Sequence, residues 1–293
     1  MSALCRMMIG LLQLKGVGRQ KVKRLMDLLS EPDHLTFREI IEFGQTFHII
    51  SSQINRDEID KAIDYADKLI HGCESLSIKV SSYLDQGFPD CLRSFNDHPV
   101  LLFYQGNLDV LNQPKRAAIV GSRNPTPFGT DFAFQAGKIL AEKDFVVISG
   151  LAAGADTSGH QGCLSVGGKT VAFLPSGLSQ VYPHQNKKLA DKILSQNGCL
   201  ISEYSHFETV QPYKFIERDR LQSGTSLFVI VSNFSPGSGT IHTLGFAEKY
   251  KRPVYSIPII YEESKDGFEV LNNTNISFQI LDNAGLKKVI ENY

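Results

Sequence analysis

The 293-residue sequence has no excess of charge of either sign, because 30 basic residues face 31 acidic ones and the formal net charge is −1. The overall charge therefore gives no nucleic-acid signature, and a site for a polyanion must come from local clustering of Lys and Arg. The five cysteines include no CxxC pair, which argues against a zinc site or a disulfide framework and suits a reducing compartment. We expect no metal and no cofactor.

Three further absences narrow the function. An apolar patch over residues 7–12 is too short to span a membrane and is followed by basic residues, so neither a signal peptide nor a membrane anchor is expected. No GxGxxG follows the first predicted strand of the sheet, which argues against ordinary dinucleotide binding. No GxSxG or Cys/His nucleophile pattern is present, and we predict no catalytic residue.

The first part of the chain has the pattern of a helical domain. Residues 1–75 contain few strand signals, and apolar residues from Ile54 to Ile70 recur at the spacing of one helix face. Residues 76–113 contain strand-like pieces, chiefly 100–104. We predict a small helical domain over 1–75, a connector over 76–113 and a second domain over 114–293 that ends in a short polar tail.

From Arg116 onward, runs of β-branched and apolar residues alternate with helical stretches. This alternation predicts an α/β fold with a doubly wound, mainly parallel sheet that has helices on both faces. The ligands of such sheets bind outside the carboxyl ends of the strands. The predicted strands are 117–121, 145–149, 170–175, 199–204, 227–232 and 253–258, and the predicted helices include 128–143, 156–166, 185–196 and 239–250.

Four turns rich in Gly and Ser follow predicted strands, at the edge where a ligand is expected. A strand that ends in such a turn and then a helix offers bare backbone N–H groups to anionic oxygens, so the four turns predict a phosphate-binding surface. The turns are Gly121-Ser122-Arg123, residues 149–154, Ser176-Gly177-Leu178 and residues 235–240, and the candidate contacts are Gly121, Ser122, Arg123, Ser149, Gly150, Gly154, Ser238, Gly239 and Thr240.

Cationic and aromatic side chains accompany these turns. Arg123 offers the planar fork of donors that suits phosphate. Tyr182 is a candidate for stacking on a base and Lys187 for contacting a phosphate of a single strand, although a helix that starts after Pro183 explains the same residues. Asp156 is expected to cap the helix that follows the second turn, with a partly buried His160 on the same helix face; a metal or acid–base pair of these two residues is the less favoured alternative.

The segment 214–220 mixes three cations with two acids. The cations either contact phosphates or pair with the acids of the same segment, in which case the segment is structural. The cations are Lys214, Arg218 and Arg220, and the acids are Glu217 and Asp219.

A glycine hairpin lies between two apolar helical segments near the N-terminus. Lys15-Gly16-Val17-Gly18-Arg19 resembles a helix-hairpin-helix, as found in SAM-like domains, in which the glycines let the backbone approach a DNA phosphate. The window from Leu11 to Leu25 carries five basic residues and no acid. A structural turn with a solvated basic face explains the same residues, so both interpretations stay open.

Residues 80–258 resemble the DprA/Smf family of bacterial DNA-processing proteins in the order and spacing of many short pieces. The family's Phe-Pro-x-Arg-Asn-Arg run corresponds here to Phe215 to Arg220, where two acids have entered and thin the positive charge. The resemblance runs through residues 87–92, 99–108, 120–123, 149–157, 168–170, 177–178, 182–183, 186, 202–204 and 238–240.

The resemblance implies an extended Rossmann-like fold and a cytoplasmic homodimer that binds single-stranded DNA. It also implies that the protein protects incoming DNA and helps to load the RecA recombinase during natural transformation. The basic residues that match the family's DNA-binding positions are Arg123, Lys187, Lys214, Arg218 and Arg220.

The glycine turn at 235–240 offers an alternative. It also resembles the Pro-Gly-Gly-x-Gly-Thr phosphate loop of LOG-type nucleoside monophosphate phosphoribohydrolases, which follow the loop with glutamates, whereas the first acid here is Glu248. Without a carboxylate to stabilise an oxocarbenium ion or activate water, hydrolysis is not expected. We therefore predict a non-catalytic single-strand binder, with a nucleotide-binding or LOG-type protein as the alternative.

Overall fold

The structure, a computed structural model, describes residues 2–235, 237–256 and 278–293. Its contacts divide the chain into two compact units. The first comprises Met1–Phe88 and Asp97–Phe103, and the second comprises Pro89–Asn96 and Tyr104–Tyr293. The segment 76–113, predicted as a connector, is thus shared between the two units.

The first unit is mainly helical. Helices α3 (Phe37–Thr46) and α4 (Arg56–Ser75) each begin with a capping box, in which a polar side chain and a glutamate three residues later satisfy each other's backbone N–H groups. The buried residues of α4 include Ile59, Ala62, Ala66 and Leu69, which confirms the apolar face predicted for this segment. The described elements are α1 (Ala3–Gln13), α2 (Arg19–Leu28), a 3₁₀ helix (Pro32–His34), α3 (Phe37–Thr46), α4 (Arg56–Ser75), β1 (Lys79–Ser82) and the start of β2 (Leu101–Gly106).

The second unit alternates strands and helices, as predicted. Its described strands are β3 (Arg116–Val120), β4 (Val146–Ser149), β5 (Thr170–Phe173), β6 (Cys199–Ser202), β7 (Phe228–Val231), β8 (Val254–Ser256) and β9 (Phe278–Ile280). Its described α-helices are α5 (Asp90–Arg93), α6 (Pro127–Glu142), α7 (Ala155–Ser165), α8 (Lys187–Ser195), α9 (Pro212–Thr225), α10 (Thr240–Lys249) and α11 (Asn283–Ile290), with 3₁₀ turns at Leu108–Asn112 and His184–Asn186.

The strands of this unit pair in the order β6-β5-β4-β3-β7-β8-β9, and each pair from β5/β6 to β8/β9 is parallel. The predicted α/β fold with a mainly parallel sheet is confirmed. The chain runs outward from β3 to β6 and then returns to the other side of β3 as β7. Ligands of doubly wound sheets bind at such a reversal. Residues 257 and 258 of the last predicted strand lie outside the described residues.

Close packing of α6 against α7 fixes the loops at the carboxyl edge of the sheet. The helices approach through glycines, because a Cβ on Gly162 would lie 1.9 Å from the Phe134 carbonyl oxygen and one on Gly137 would lie 2.2 Å from that of Gly159. Phe132, Ala136 and Leu140 of α6 join Ile119 and Val147 of the sheet in the buried core. The loop that enters α7 is therefore held rigidly beside the end of β3.

Two further properties concern residues 2–235, 237–256 and 278–293 alone. None of their helices is long and apolar enough to cross a membrane. Over the same residues, no group of three His, Cys, Asp or Glu side chains is placed to hold a metal ion. The five cysteines, all within the described ranges, form no disulfide, and four of them are buried.

Candidate phosphate-binding site

A pocket of about 400 Å³ opens between the loops that follow β3 and β7. We call it the switch-point pocket, because the order in which the strands are added to the sheet reverses between β3 and β7. It brings together the first and the last of the four predicted glycine turns, Ala152 of the second turn and a face of α9. The residues that matter below are Gly121, Ser122 and Arg123 from the first turn, Gly237, Ser238, Gly239 and Thr240 from the last, and Asp156, Phe215, Arg218, Asp219 and Gln222.

The turn before α10 presents open backbone to this pocket. Gly237 has a φ of 77°, in the left-handed region that favours glycine, and a Cβ added to Gly237 or Gly239 would meet no heavy atom within 4 Å. Ser238 Oγ donates to Thr240 Oγ1 at 3.0 Å, which orders the first residue of α10. A glycine turn at a helix N-terminus is a ready site for an anion. Pro236 lies outside the described residues.

Arg123 is the exposed cation of the pocket wall. Its guanidinium lies over the ring of Phe215, 4.8 Å from the centroid. The Ser122 N–H donates to the Asn233 carbonyl oxygen at 2.9 Å, so the turn that carries Arg123 is fixed to the β7 loop. In the described part of the chain, Arg123 makes no ion pair with a carboxylate. It is therefore available to an external anion.

The second predicted turn is occupied by a carboxylate of the chain itself. The N–H groups of Gly150 and Ala152 donate to Asp156 Oδ2 at 3.0 and 3.3 Å, and Ser149 Oγ donates to the Ile119 carbonyl oxygen at 2.7 Å. Gly154 is the N-cap residue of α7, so the expected capping role of Asp156 is corrected. Its carboxylate instead folds back and takes the position that a phosphate oxygen was predicted to take.

His160 is fully buried rather than partly buried. Its Nδ1 lies 2.7 Å from Thr170 Oγ1, which itself donates to the Val147 carbonyl oxygen, so His160 Nδ1 carries the proton of this bond. Burial, with a smaller effect of Arg218, lowers the pKa of His160 to about 3. The neutral imidazole is therefore a packing group and not an acid–base partner of Asp156.

Arg218 forms the floor of the pocket and is 5% exposed. Its guanidinium lies 3.2 Å from Asp219 Oδ1 and 3.9 Å from Asp156 Oδ2, and it donates to the Phe173 carbonyl oxygen at 3.2 Å. One cation thus faces two buried carboxylates. Burial raises the pKa of Asp219 to about 7, against the lowering effect of Arg218, and it also raises the pKa of Asp156.

Two further predicted phosphate ligands are committed to carboxylates inside the protein. Arg220 holds Glu203 in a bidentate pair at 2.5 and 2.6 Å, and Lys214 Nζ donates to Glu208 Oε2 at 2.8 Å. Both cations are at most 5% exposed. The structure therefore differs from the expectation of five available cations, because Lys214, Arg218 and Arg220 are desolvated and already paired.

Pairing within segment 214–220 is found between Arg218 and Asp219, and Arg220 Nη1 also donates to the Glu217 carbonyl oxygen at 2.7 Å. Arg220 pairs with Glu203 on the loop after β6, and Glu217 accepts a hydrogen bond from Tyr204 Oη at 2.5 Å. These partners lie 17 and 13 residues away from their mates in the sequence. The segment is thus tied to the end of β6, which local spacing did not reveal.

Glu203→Gln should lower the free energy of unfolding by about 3 kcal/mol, because it removes the charge that faces buried Arg220. Urea denaturation measures this loss. Asp191→Asn is the matched control, since its partner Lys187 is exposed and such pairs contribute less than about 1 kcal/mol. Equal losses in the two variants would show that the Arg220–Glu203 pair is no more important than a surface pair.

Tyr182 and Lys187 both remain accessible to solvent. The Tyr182 ring is 38% exposed and meets Phe215 edge to face, with the centroids 5.9 Å apart. A smaller pocket of about 110 Å³ adjoins this pair and Arg123. Lys187 is exposed at the start of α8, where it pairs with Asp191. The turn at Ser176 is not accessible, because Gly177 is buried and its N–H donates to the Glu208 carbonyl oxygen at 2.8 Å.

The contributions of Phe215, Asp219 and Gln222 to the pocket were not expected from the sequence. All three lie on α9, a helix that was not among those predicted. Their spacing places them with Arg218 on one helix face, since residues three and four apart are neighbours. Gln222 Nε2 donates to Asp219 Oδ1 at 3.0 Å, which completes the floor of the pocket. That periodicity was the available signal, and the mixed charges of the segment obscured it.

The chain matches the family model described as DNA recombination-mediator protein A over residues 79–280. It is 31% identical to Protein Smf of Synechocystis over 254 residues, which cover 84% of this chain. It is 40% identical to DNA processing protein DprA of Streptococcus pneumoniae over 179 residues, or 60% of this chain. The matched part spans 62% of the length of each of these two relatives.

Two solved structures are similar to the whole chain or to most of it. The X-ray structure of DNA processing protein A from Streptococcus pneumoniae aligns over 99% of both chains at 29% identity, with a TM-score of 0.79. A structure of DNA processing protein A from Helicobacter pylori, described for its single-stranded DNA binding mode, covers 74% of this chain and 97% of that chain at 28% identity, with a TM-score of 0.65.

Proposed function

Because the chain belongs to the DNA recombination-mediator protein A family, we propose that it binds single-stranded DNA at the switch-point pocket, without catalysis, as part of DNA processing in recombination. One observation carries the proposal: exposed Arg123 faces an open glycine turn at the start of α10 across the same pocket. The Helicobacter pylori relative, whose description names single-stranded DNA binding, supports the choice of ligand.

The strand is held by contacts of two kinds. A phosphate lies between the guanidinium of Arg123 and the backbone N–H of Gly239, with the hydroxyls of Ser122 and Thr240 beside it, because a helix N-terminus and a planar donor fork both favour phosphate oxygens. The Thr240 N–H already donates to Ser238 Oγ at 3.3 Å. A base packs against Tyr182, whose exposed ring is braced by Phe215. Lys187 extends the path by one further phosphate.

The buried cations have a positioning role in this proposal. Arg218, Arg220 and Lys214 fix α9 to the loops after β4 and β6, and α9 carries the Phe215 ring on which Arg123 rests. The turn that contains Ser149, Gly150 and Gly154 acts in the same way, since Asp156 fills it. The direct contacts with the DNA strand are then made by the two open glycine turns, by Tyr182 and by Lys187.

Titration of a labelled 20-nucleotide thymidine strand against salt tests the proposal. With Arg123 and Lys187 as the exposed cations, log affinity should fall against log salt with a slope of about −1.4, from about 0.7 per phosphate contact. Fluorescence anisotropy measures the affinities. A slope near zero would contradict an electrostatic grip on the strand.

Two finer parts of the proposal rest on the family resemblance: the protein loads RecA on the strand it protects, and it forms a homodimer. Light scattering tests the second, with an expected mass twice the 32.5 kDa of the chain. Nucleation of RecA filaments on a strand coated with single-strand-binding protein tests the first. A monomer in solution, or no faster nucleation, would remove the corresponding part and leave strand binding in place.

One observation favours the alternative function, hydrolysis of nucleoside monophosphates. The sequence analysis placed no carboxylate at the pocket, and this is corrected, because Asp156 and Asp219 both line it. Both are buried and engaged, Asp156 by two backbone N–H groups and Asp219 by Arg218 and Gln222. We therefore retain the non-catalytic function. Release of free base from nucleoside monophosphates, abolished by Asp219→Asn, would overturn it.

A further inference from the structure

Charge is segregated along the first unit. The sequence before Asp27 contains no acid, although it carries Arg6, Lys15, Arg19, Lys21, Lys23 and Arg24. Over residues 27–75 acids outnumber cations, with Asp57, Glu58, Asp60, Asp64 and Asp67 on α4 alone. In a chain whose overall charge is −1, this arrangement gives the first two helices a strong local field of their own.

Three of these cations are exposed and unneutralised. Arg6 pairs with Asp67 and Lys23 pairs with Asp27. Lys15, Lys21 and Arg24 are exposed and, across residues 2–235, 237–256 and 278–293, make no ion pair. Lys21 and Arg24 lie three residues apart on α2 and are therefore neighbours on its surface.

The hairpin between α1 and α2 is anchored by buried apolar residues and has open space next to its glycines. Leu14 and Val17 are each 5% exposed, and the Val17 N–H donates to the Leu14 carbonyl oxygen at 3.0 Å. Gly16, with a φ of 76°, and Gly18 alternate with these anchors, and a Cβ added to either would meet no heavy atom within 4 Å. A polyanion can therefore approach the backbone closely at these two glycines.

We propose that the hairpin surface, formed by Lys15, Gly16, Gly18, Lys21 and Arg24, is a second nucleic-acid site that binds the sugar–phosphate backbone of duplex DNA. It is independent of the single-strand site proposed at the switch-point pocket. Cations on a rigid backbone recognise phosphates without reading sequence. The site thereby gives the chain a contact for the double-stranded flank of a single-stranded region.

Composition favours a duplex over other polyanions. The exposed residues between 14 and 24 are Gly, Gln, Lys and Arg only. Residues 14–28 include no aromatic side chain, so the surface has no platform on which an unpaired base would stack. It also has no large apolar or aromatic anchor of the kind that dominates protein–protein binding.

The test compares two double charge reversals in the full chain. Lys21→Glu with Arg24→Glu should lower affinity for a 20-base-pair duplex by at least about tenfold and flatten the salt slope by about 2, from about 0.9 per duplex contact. Affinity for the thymidine strand should not change. Lys61→Glu with Lys68→Glu, on exposed positions of α4, is the matched control and should leave duplex affinity unchanged.

Several outcomes would overturn the inference. They are absence of duplex binding by the unaltered chain at low salt, an equal loss in the α4 control, or an equal loss of single-strand affinity in the α2 variant. If the hairpin surface binds polyglutamate but not the duplex, its partner is an acidic protein instead. Arg123→Glu separates the two proposals, because it should lower single-strand affinity and leave the hairpin-dependent duplex affinity intact.

Discussion

Reversing the charge of Arg123 should lower affinity for a 20-nucleotide thymidine strand by roughly 30-fold, or about 2 kcal/mol. Arg123→Glu removes a charge-assisted contact to phosphate and places a carboxylate beside the Phe215 ring, whose centroid lies 4.8 Å from the guanidinium in the unaltered chain. Arg123→Lys should cost less but should not be neutral, because an ammonium keeps the charge and loses the planar fork.

Lys143→Glu is the matched control for this variant. Lys143 is exposed at the end of α6, just before β4 begins, and so lies at the opposite edge of the sheet from the pocket. The control changes the net charge by the same amount and should leave single-strand affinity within twofold of the unaltered chain. Equal losses for Arg123 and Lys143 would mean that overall charge, and not the pocket, governs binding.

Asp219→Asn should stabilise the protein above pH 7. Burial raises the pKa of Asp219 from an unfolded value of 3.8 to about 7, so the folded state holds a proton that the unfolded state releases across this window. The free energy of unfolding of the unaltered chain should therefore fall as pH rises from about 4 to about 7. Asn mimics the protonated carboxyl and should recover up to about 4 kcal/mol at pH 8, at about 1.4 kcal/mol per pKa unit.

Urea denaturation at pH 5 and pH 8 measures this effect. The difference between the two pH values should shrink in Asp219→Asn without vanishing, because the pKa of Asp156 is also raised and contributes with the same sign. Asp191→Asn, which removes an exposed carboxylate, should leave the pH dependence unchanged. A variant less stable than the unaltered chain at pH 8 would show that attraction to Arg218 outweighs the cost of burying the charge.

Most of the sheet could be predicted because its strands are buried on both faces. Runs such as Phe228–Val231 contain only apolar residues, and the helices between them begin and end near Gly, Pro or Asn. The resulting alternation of short, continuous apolar runs with segments of period 3.6 identifies a parallel sheet without knowledge of contacts. The carboxyl edge, and hence the location of the site, follows from chain direction alone.

Helix α9 shows why the rest could not be predicted. Sequence patterns assign charged residues to solvent, whereas Arg218, Asp219 and Arg220 are buried here. Their burial depends on partners that are distant in sequence: Asp156 lies 62 positions before Arg218, and Glu203 lies 17 before Arg220. The same limit applies to the turn at Gly150, where an external phosphate was expected and a carboxylate of the chain was found.

The contact between Gly150 and Arg218 also constrains how this chain can diverge. A Cβ at position 150 would lie 1.1 Å from Arg218 Nη1, so even alanine cannot coexist with the guanidinium in its present place. Over evolutionary time a side chain gained at 150 should be accompanied by a displaced or shortened side chain at 218. Among homologues, that coupled substitution would mark lineages in which the pocket floor no longer pairs an arginine with Asp156 and Asp219.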